Sequence, residues 1–267
     1  MKVKQSGSLL VLLLSLGTAN SFAEPIEDPC GGASALLALA NRPTIADSAC
    51  VVPFEKGVFE FGVQYQNLKG RGQGINLPEA ELRLGLPAKT ELSILLPNYT
   101  HQNQTPRAGF SPTIIGLKHE VGYTQKWLGS VEGLVILPSA SSAYGSDALG
   151  GMVNGILEYS INSSLSVTFM LGVSTQTEPY SSGGQRFNSV NPDLVLAWQL
   201  NDKFQTFGEV YGQTKAGPRT GAAFNADAGL QYLLTQNLEA DLELGQRISG
   251  QLGQFSNYVG AGMSWLF

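Results

Sequence analysis

Apolar and polar residues alternate along most of this chain. Leu165, Val167, Phe169, Leu171 and Val173 share one side of an extended segment, and Ser166, Thr168, Gly172 and Ser174 share the other. A period of two is the mark of a strand with one apolar face. Phe59, Phe61, Val63 and Tyr65 oppose Glu60, Gly62, Gln64 and Gln66 in the same way. Leu238, Ala240, Leu242 and Leu244 oppose Glu239, Asp241, Glu243 and, further on, Arg247. The last segment sets Val259, Ala261, Met263, Trp265 and Phe267 against Gly260, Gly262, Ser264 and Leu266. From Gly57 to Phe267 the pattern predicts about twelve such strands. The segment Phe204–Gln213 is ambiguous, because placing Glu209 on the polar side brings the bulky Phe207 and Tyr211 with it.

The connections carry a second pattern. Those after even-numbered strands are short: Pro87–Thr90, Gly122–Lys126, Asn162–Ser164, Asn201–Lys203 and Thr235–Asn237. Those after odd-numbered strands are longer and rich in Gly, Ser, Asn and Pro: Asn67–Asn76, Asn98–Phe110, Pro138–Gly150, Gln176–Arg186, Thr214–Ala223 and Ile248–Ser256. Short periplasmic turns and longer external loops are the habit of bacterial barrels with an even strand count. A soluble sandwich has no physical reason to keep one set short. The expected fold is all-β, a single closed antiparallel transmembrane β-barrel over residues 57–267. Closure is obligatory, since an open edge in hydrocarbon leaves costly unpaired N–H and C=O groups. Val259–Phe267 is therefore expected beside Gly57–Gln66, and the small Gly260, Gly262 and Ser264 suggest free lumen volume along that seam.

The first residues follow a different rule. Lys2 and Lys4 precede an apolar run, Leu9 to Leu16, and Ser21-Phe22-Ala23 supplies small residues at minus three and minus one of a cleavage site. Residues 1–23 read as a signal peptide. Residues 24–56 then form an expected N-terminal periplasmic segment, with an Ala- and Leu-rich helix over Ala33–Ala40. That helix either caps the barrel or enters the lumen as a plug. Cys30 and Cys50 are the only two cysteines of an exported chain, and a disulfide is expected between them. In the chain-entropy model it is worth about 3 kcal/mol.

Composition narrows the function classes. The chain is 14% charged and 9% aromatic, with 32 glycines. No apolar run after the signal is long enough for a transmembrane helix. Removing the signal takes two of the 16 basic residues and none of the 21 acids, so the net charge moves from −5 to −7. Nucleic acid is a poor partner for such a chain. By alternation the candidate lumen-facing residues are Glu60, Gln64, Glu81, Arg83, Lys118, Glu132, Glu158, Asp193, Glu209, Asp227, Asp241 and Arg247. Two readings stay open for them. They line a lumen with a cation-favouring field, or Arg83, Lys118 and Arg247 cross-link neighbouring acids and hold the barrel shut. Glu239 and Glu243 lie near a rim, where solvation alone would accommodate them. His101 falls in an external loop, and His119 faces lipid or the rim. No catalytic constellation, metal site or cofactor motif is expected.

Several short stretches resemble a known family. These are Arg42-Pro43-Thr44 through Asp47-Ser48 to Val52-Pro53, the strand bearing Glu60 and Gly62, Gly116-Leu117-Lys118, Gly208-Glu209 with Tyr211-Gly212, Asp227 to Leu233, Leu238 to Asp241, and the final Gly-rich strand. Together they resemble the outer-membrane family named for a MetA pathway of phenol degradation. The resemblance implies a bacterial outer-membrane barrel that passes small solutes, aromatic or poorly soluble ones included, and supplies no catalytic residues. The alternating C-terminal strand ending in Phe also looks like the segment by which the barrel-assembly machinery recognises its clients. The expected partners are outer-membrane lipid, that machinery and a small solute, with a monomer favoured. The alternative function is a structural or surface-binding barrel with a packed lumen.

Overall fold

The computed structural model describes residues 28–70 and 72–267; the expected signal peptide, 1–23, lies outside them. One short helix, α1 (Ala35–Leu39), precedes the sheet. The strands that follow are β1 (Gly57–Leu68), β2 (Gln73–Leu77), β3 (Glu81–Leu86), β4 (Thr90–Leu95), β5 (Tyr99–Gln102), β6 (Ala108–Phe110) and β7 (Ile114–Tyr123). Then come β8 (Trp127–Ile136), β9 (Gly150–Ser160), β10 (Leu165–Thr177), β11 (Arg186–Asn201) and β12 (Phe204–Gln213). The last three are β13 (Ala223–Thr235), β14 (Leu238–Ser249) and β15 (Phe255–Leu266).

Twelve of these strands close into a ring. The order runs from β15 back through β14, β13, β12, β11, β10, β9, β8, β7, β4 and β3 to β1, and β1 pairs with β15. Every ladder is antiparallel. The closing register aligns Val58 with Leu266, Gly62 with Gly262 and Tyr65 with Val259. This is the pairing that the alternating pattern predicts, and it leaves the barrel without a free edge.

The remaining strands correct the expected loops. Asn67–Asn76 and Asn98–Phe110 are not coil throughout: β2, β5 and β6 form an extra sheet hydrogen-bonded to the far end of β1. Three consecutive wall strands are thus each split by a three-residue break, at 78–80, 96–98 and 111–113. Each break contains one proline, Pro78, Pro97 or Pro112. Proline has no N–H to give to the ladder, so pairing stops there and resumes beyond it. The short, polar pieces past the prolines read as loops because alternation needs a longer run to register.

The faces sort as the chemistry of a bilayer demands. On β14, Leu242 and Leu244 are exposed outside while Glu239, Asp241 and Glu243 are buried within. Val121, Val153 and Trp198 likewise point outward. Aromatic residues gather at the short-turn end, where Trp127 meets Tyr159 in a tilted pair with ring centres 4.5 Å apart and Trp265 meets Phe267 at 5.1 Å. Such a belt suits the headgroup level. In β12 the ambiguity resolves with Phe207, Glu209 and Tyr211 all buried and Val210 exposed. The interior has room for the Phe207 ring because a glycine faces it: a Cβ on Gly229 would lie 2.7 Å from the ring.

A charge placed on the outer face tests this sorting. Leu242→Arg is expected to destabilise the barrel by about 2–4 kcal/mol if it lies near the bilayer midplane. Denaturant titration in lipid vesicles measures the loss, and an effect near zero would show that this face does not meet lipid.

Candidate functional site

The lumen is occupied by the chain's own N-terminal segment. Helix α1 sits at the short-turn end, where the Ser34 hydroxyl donates to the Asp202 carbonyl in the β11–β12 turn at 2.8 Å. Leu36 and Leu37 pack with Val52, Val58 and Leu233, against Leu266. Of the two placements the sequence leaves open, the helix takes the rim, and the stretch after it crosses the lumen.

That stretch holds its own shape through local bonds. Thr44 Oγ1 donates to the carbonyls of Asn41 and Ala46, and the Ser48 N–H donates to Asn41 Oδ1 at 3.0 Å. The Cys30–Cys50 disulfide closes the loop across a Cα separation of 5.6 Å. Ser, Thr and Asn turns of this kind satisfy backbone groups where no ladder is available.

Four wall positions grip the segment. At the seam, the Arg42 guanidinium lies over Gly62 and Gly262; a Cβ on either would come within 2.4 Å of it. It bonds Asp241 through Nη2 at 3.1 Å and Nε at 3.3 Å, and Glu79 at 3.2 Å, with Glu243 at 3.8 Å. Burial works against the Arg42 charge, but Asp241, Glu79 and Glu243 outweigh it and raise its pKa above the ordinary arginine value. The volume expected beside Gly260, Gly262 and Ser264 is therefore filled, by Arg42 and by the Glu243 side chain.

Next to the seam lies a fully buried ionic cluster. Arg83 bonds Glu91 at 2.9 Å and Glu60 at 3.3 Å, and Lys118 bonds Glu91 at 3.0 Å. The same groups reach the segment. Arg83 donates to the Leu39 carbonyl and Lys118 to the Ser48 carbonyl, while Glu60 accepts from the Asn41 and Arg42 N–H groups. Glu91 accepts from Val52 N–H at 2.7 Å, and Glu81 from the Asn41 amide at 3.0 Å. Across the lumen, Glu209 accepts the N–H groups of Ile45 at 2.9 Å and Ala46 at 2.8 Å. Finally, the disulfide, Leu39, Ala46 and Ala49 lie against an apolar wall of Leu128, Ile156, Met170, Val195 and Phe207.

The other sequence-selected residues stand apart from these grips. Glu132 accepts from Asn154 at 2.9 Å, and the half-buried Glu158 accepts from Thr168 at 3.5 Å. Gln64 pairs with Gln66 at 2.5 Å, and Asp227 accepts the Tyr258 hydroxyl at 2.7 Å. Asp193 is buried and, apart from the neighbouring Glu209 carboxyl, meets no protein donor. Arg247 bonds no acid; it donates to the Gly253 and Phe255 carbonyls and ties down the last long loop. Glu239 is fully buried rather than solvated at the rim, and neither of its oxygens has a protein partner. His119 is exposed and meets Thr90 at 3.0 Å.

Two residues central to the site are not singled out by the sequence. Glu91 was legible by parity opposite Leu92 but is one acid among many. Arg42 lies in a segment with no repeat, and nothing in its neighbourhood announces that it crosses to β14.

The lumen holds two cavities, and the segment lines one of them. One, of about 610 Å³, opens at the short-turn end among Ala38, Asp47, Glu158, Gln205 and Phe207. The other, of about 750 Å³, lies at the long-loop end among Tyr144, Met152, Gln176, Phe187 and Arg219.

Comparison with known proteins agrees with this architecture. The family model described as "Putative MetA-pathway of phenol degradation" matches residues 40–266. The chain belongs to that family. The match begins inside the lumen segment and includes Arg42. Among curated protein sequences none matches. Among solved structures the chain is similar to the COG4313 outer membrane channel from Pseudomonas putida F1, with a TM-score of 0.67 at 8% identity, over 83% of this chain and 99% of that one. It is also similar to the NanC porin (TM-score 0.54, 12% identity, 78% of this chain and 98% of that one). The KdgM porin gives a TM-score of 0.52 at 11% identity, over 79% and 99% of the two chains. At such identities the shared property is the fold, that of a bacterial outer-membrane barrel. The family's barrel and the apolar outer belt of this member together place it in the outer membrane.

Arg42→Ala would leave Asp241 buried beside Glu243 with no counter-charge. Removing one partner of a buried pair costs about 3–5 kcal/mol. Urea unfolding of the variant is expected to show that loss, and Arg42→Ala with Asp241→Asn together a smaller one than the sum of the two singles, since the pair acts as a unit.

Proposed function

We propose that this barrel is a channel for passive passage of small solutes across the outer membrane, aromatic and hydrophobic ones included, closed at mid-height by its own N-terminal segment. The observation that carries this reading is the pair of cavities at opposite ends of one lumen, the inner one lined in part by a segment that no ladder joins to the wall. A wall-to-wall packed core would have no such cavities. Hydrogen bonds, ion pairs and apolar contact hold the segment, and all of these are reversible. Entry from the long-loop side leads to the larger cavity, and exit on the short-turn side leads from the smaller. Acids outnumber bases on the inner face, which favours cations among charged solutes. The similar structures, a channel and two porins, support the same reading.

The second reading, a surface-binding barrel with a packed lumen, draws on the number of grips on the segment. Conductance separates the two. In planar bilayers the intact chain is expected to conduct weakly. Replacing Gly262 by Val, which evicts Arg42 from its seat, should increase the discrete, cation-biased conductance several-fold. Barrels that stay silent with Gly262→Val and also after removal of residues 28–52, and that speed no solute uptake into liposomes, would reject the channel.

A further inference from the structure

We propose that Asp193, Glu209 and Asp227 form a recognition site for the ammonium group of a small amphipathic amine, at the level that divides the two cavities. The inference rests on the channel reading and names a solute class for it. The three carboxylates lie on adjacent strands and face inward. Glu209 is directly opposite Asp227, and Val195, opposite Glu209, is the next inward residue after Asp193. All three are buried. Among the described residues no Lys or Arg forms an ion pair with any of them. In this they differ from Glu60, Glu91 and Asp241, which are paired with Arg83, with Arg83 and Lys118, and with Arg42.

A second observation points to what is recognised. Apart from the neighbouring Glu209 carboxyl, both carboxylate oxygens of Asp193 and Oδ1 of Asp227 meet no protein donor. Nor do the amide oxygens of Asn225, which is fully buried, and Asn154, which is 2% exposed. Asn225 shares a ladder rung with Tyr211 and Asp193, and Asn154 shares one with Gly172 and Asn191. Every unsatisfied group in this set is an acceptor. A buried acceptor without a donor is costly, and an unpaired buried carboxylate more so. Ionisable groups at membrane depth that the fold does not pair are functional by default.

The geometry selects an ammonium over a metal ion. No group of three or more His, Cys, Asp or Glu among the described residues converges as metal ligands. An ammonium has three donors that satisfy acceptors spread over neighbouring rungs. The wall beside the carboxylates is apolar, with Met170 opposite Asp193 in the ladder and Val195 and Phe207 below it. That surface suits the organic part of the molecule. The site also lies on the path. Along β11, Phe187 lines the outer cavity and Val195 the inner one, with Asp193 between them. Glu209 meanwhile holds the Ile45 and Ala46 N–H groups, so an ammonium arriving there competes for the carboxylate that anchors the closing segment.

Three matched probes test this with the folded chain in detergent: benzylammonium, benzyl alcohol and benzoate, by titration calorimetry. Benzylammonium is expected to bind at least tenfold more tightly than benzyl alcohol, and benzoate not to bind. Asp193→Asn and Asp227→Asn should each weaken benzylammonium at least fivefold and leave benzyl alcohol unchanged. Heat-modifiable mobility on gels reports folding, and either variant suffices if the other fails to fold. Similar affinity for all three probes, no binding of any, or indifference of benzylammonium to both substitutions overturns the proposal. A barrel that conducts without this preference rejects the amine site alone, whereas one silent in every conductance test rejects the channel.

Discussion

A buried charge must find its opposite, and in this barrel Arg42 is where that requirement binds the structure together. Its guanidinium fits only because Gly62 and Gly262 present no side chain at the point where the first and last strands meet. Its partners Asp241 and Glu79 come from β14 and from the break between β2 and β3. One side chain of a non-repetitive segment thus connects the seam, the neighbouring strand and a wall defect. The glycines of the closing strand read most simply as spacers; their role is to seat a cation.

The interior is an unequal distribution of charge. Near β1, β3, β4 and β7 the acids are matched by Arg83 and Lys118, and the cluster is closed to solvent. Such a cluster adds little net stability, because desolvation offsets much of the attraction. Its worth is positional: each member has a hydrogen bond left over for the carbonyls and N–H groups of the crossing segment. Toward β11, β12 and β13 the acids outrun the bases, and the segment bonds an acid there through the backbone N–H groups of Ile45 and Ala46. One side of the lumen is therefore a clamp and the other an unmatched, electronegative wall.

Much of this was legible in the sequence, for a definite reason. A barrel wall repeats its constraint at every second residue, so strands such as β10 and β14 announce both faces, and the alternation of short and long connections fixes which strands are neighbours. The constraint fails where it is not repeated. β2, β5 and β6 are too short and polar to alternate visibly, and their separation from the wall depends on three prolines acting at one level. Phe207 and Tyr211 break the rule that interiors are small or polar, and Gly229 makes room for Phe207 from another strand. The crossing of the lumen by residues 40–53 rests on pairings with partners up to 199 positions away, such as Arg42 with Asp241. No local pattern encodes those.

The seat of Arg42 has one more property. It is made by β1 and β15 together, so neither strand alone possesses it, and it comes into being at the moment the ring closes. The segment that occupies it precedes β1 and leaves the ribosome before any strand. A segment made before any strand can thus take its final place only after β15 has paired with β1, and a seated Arg42 is the molecule's own record that its circle is complete.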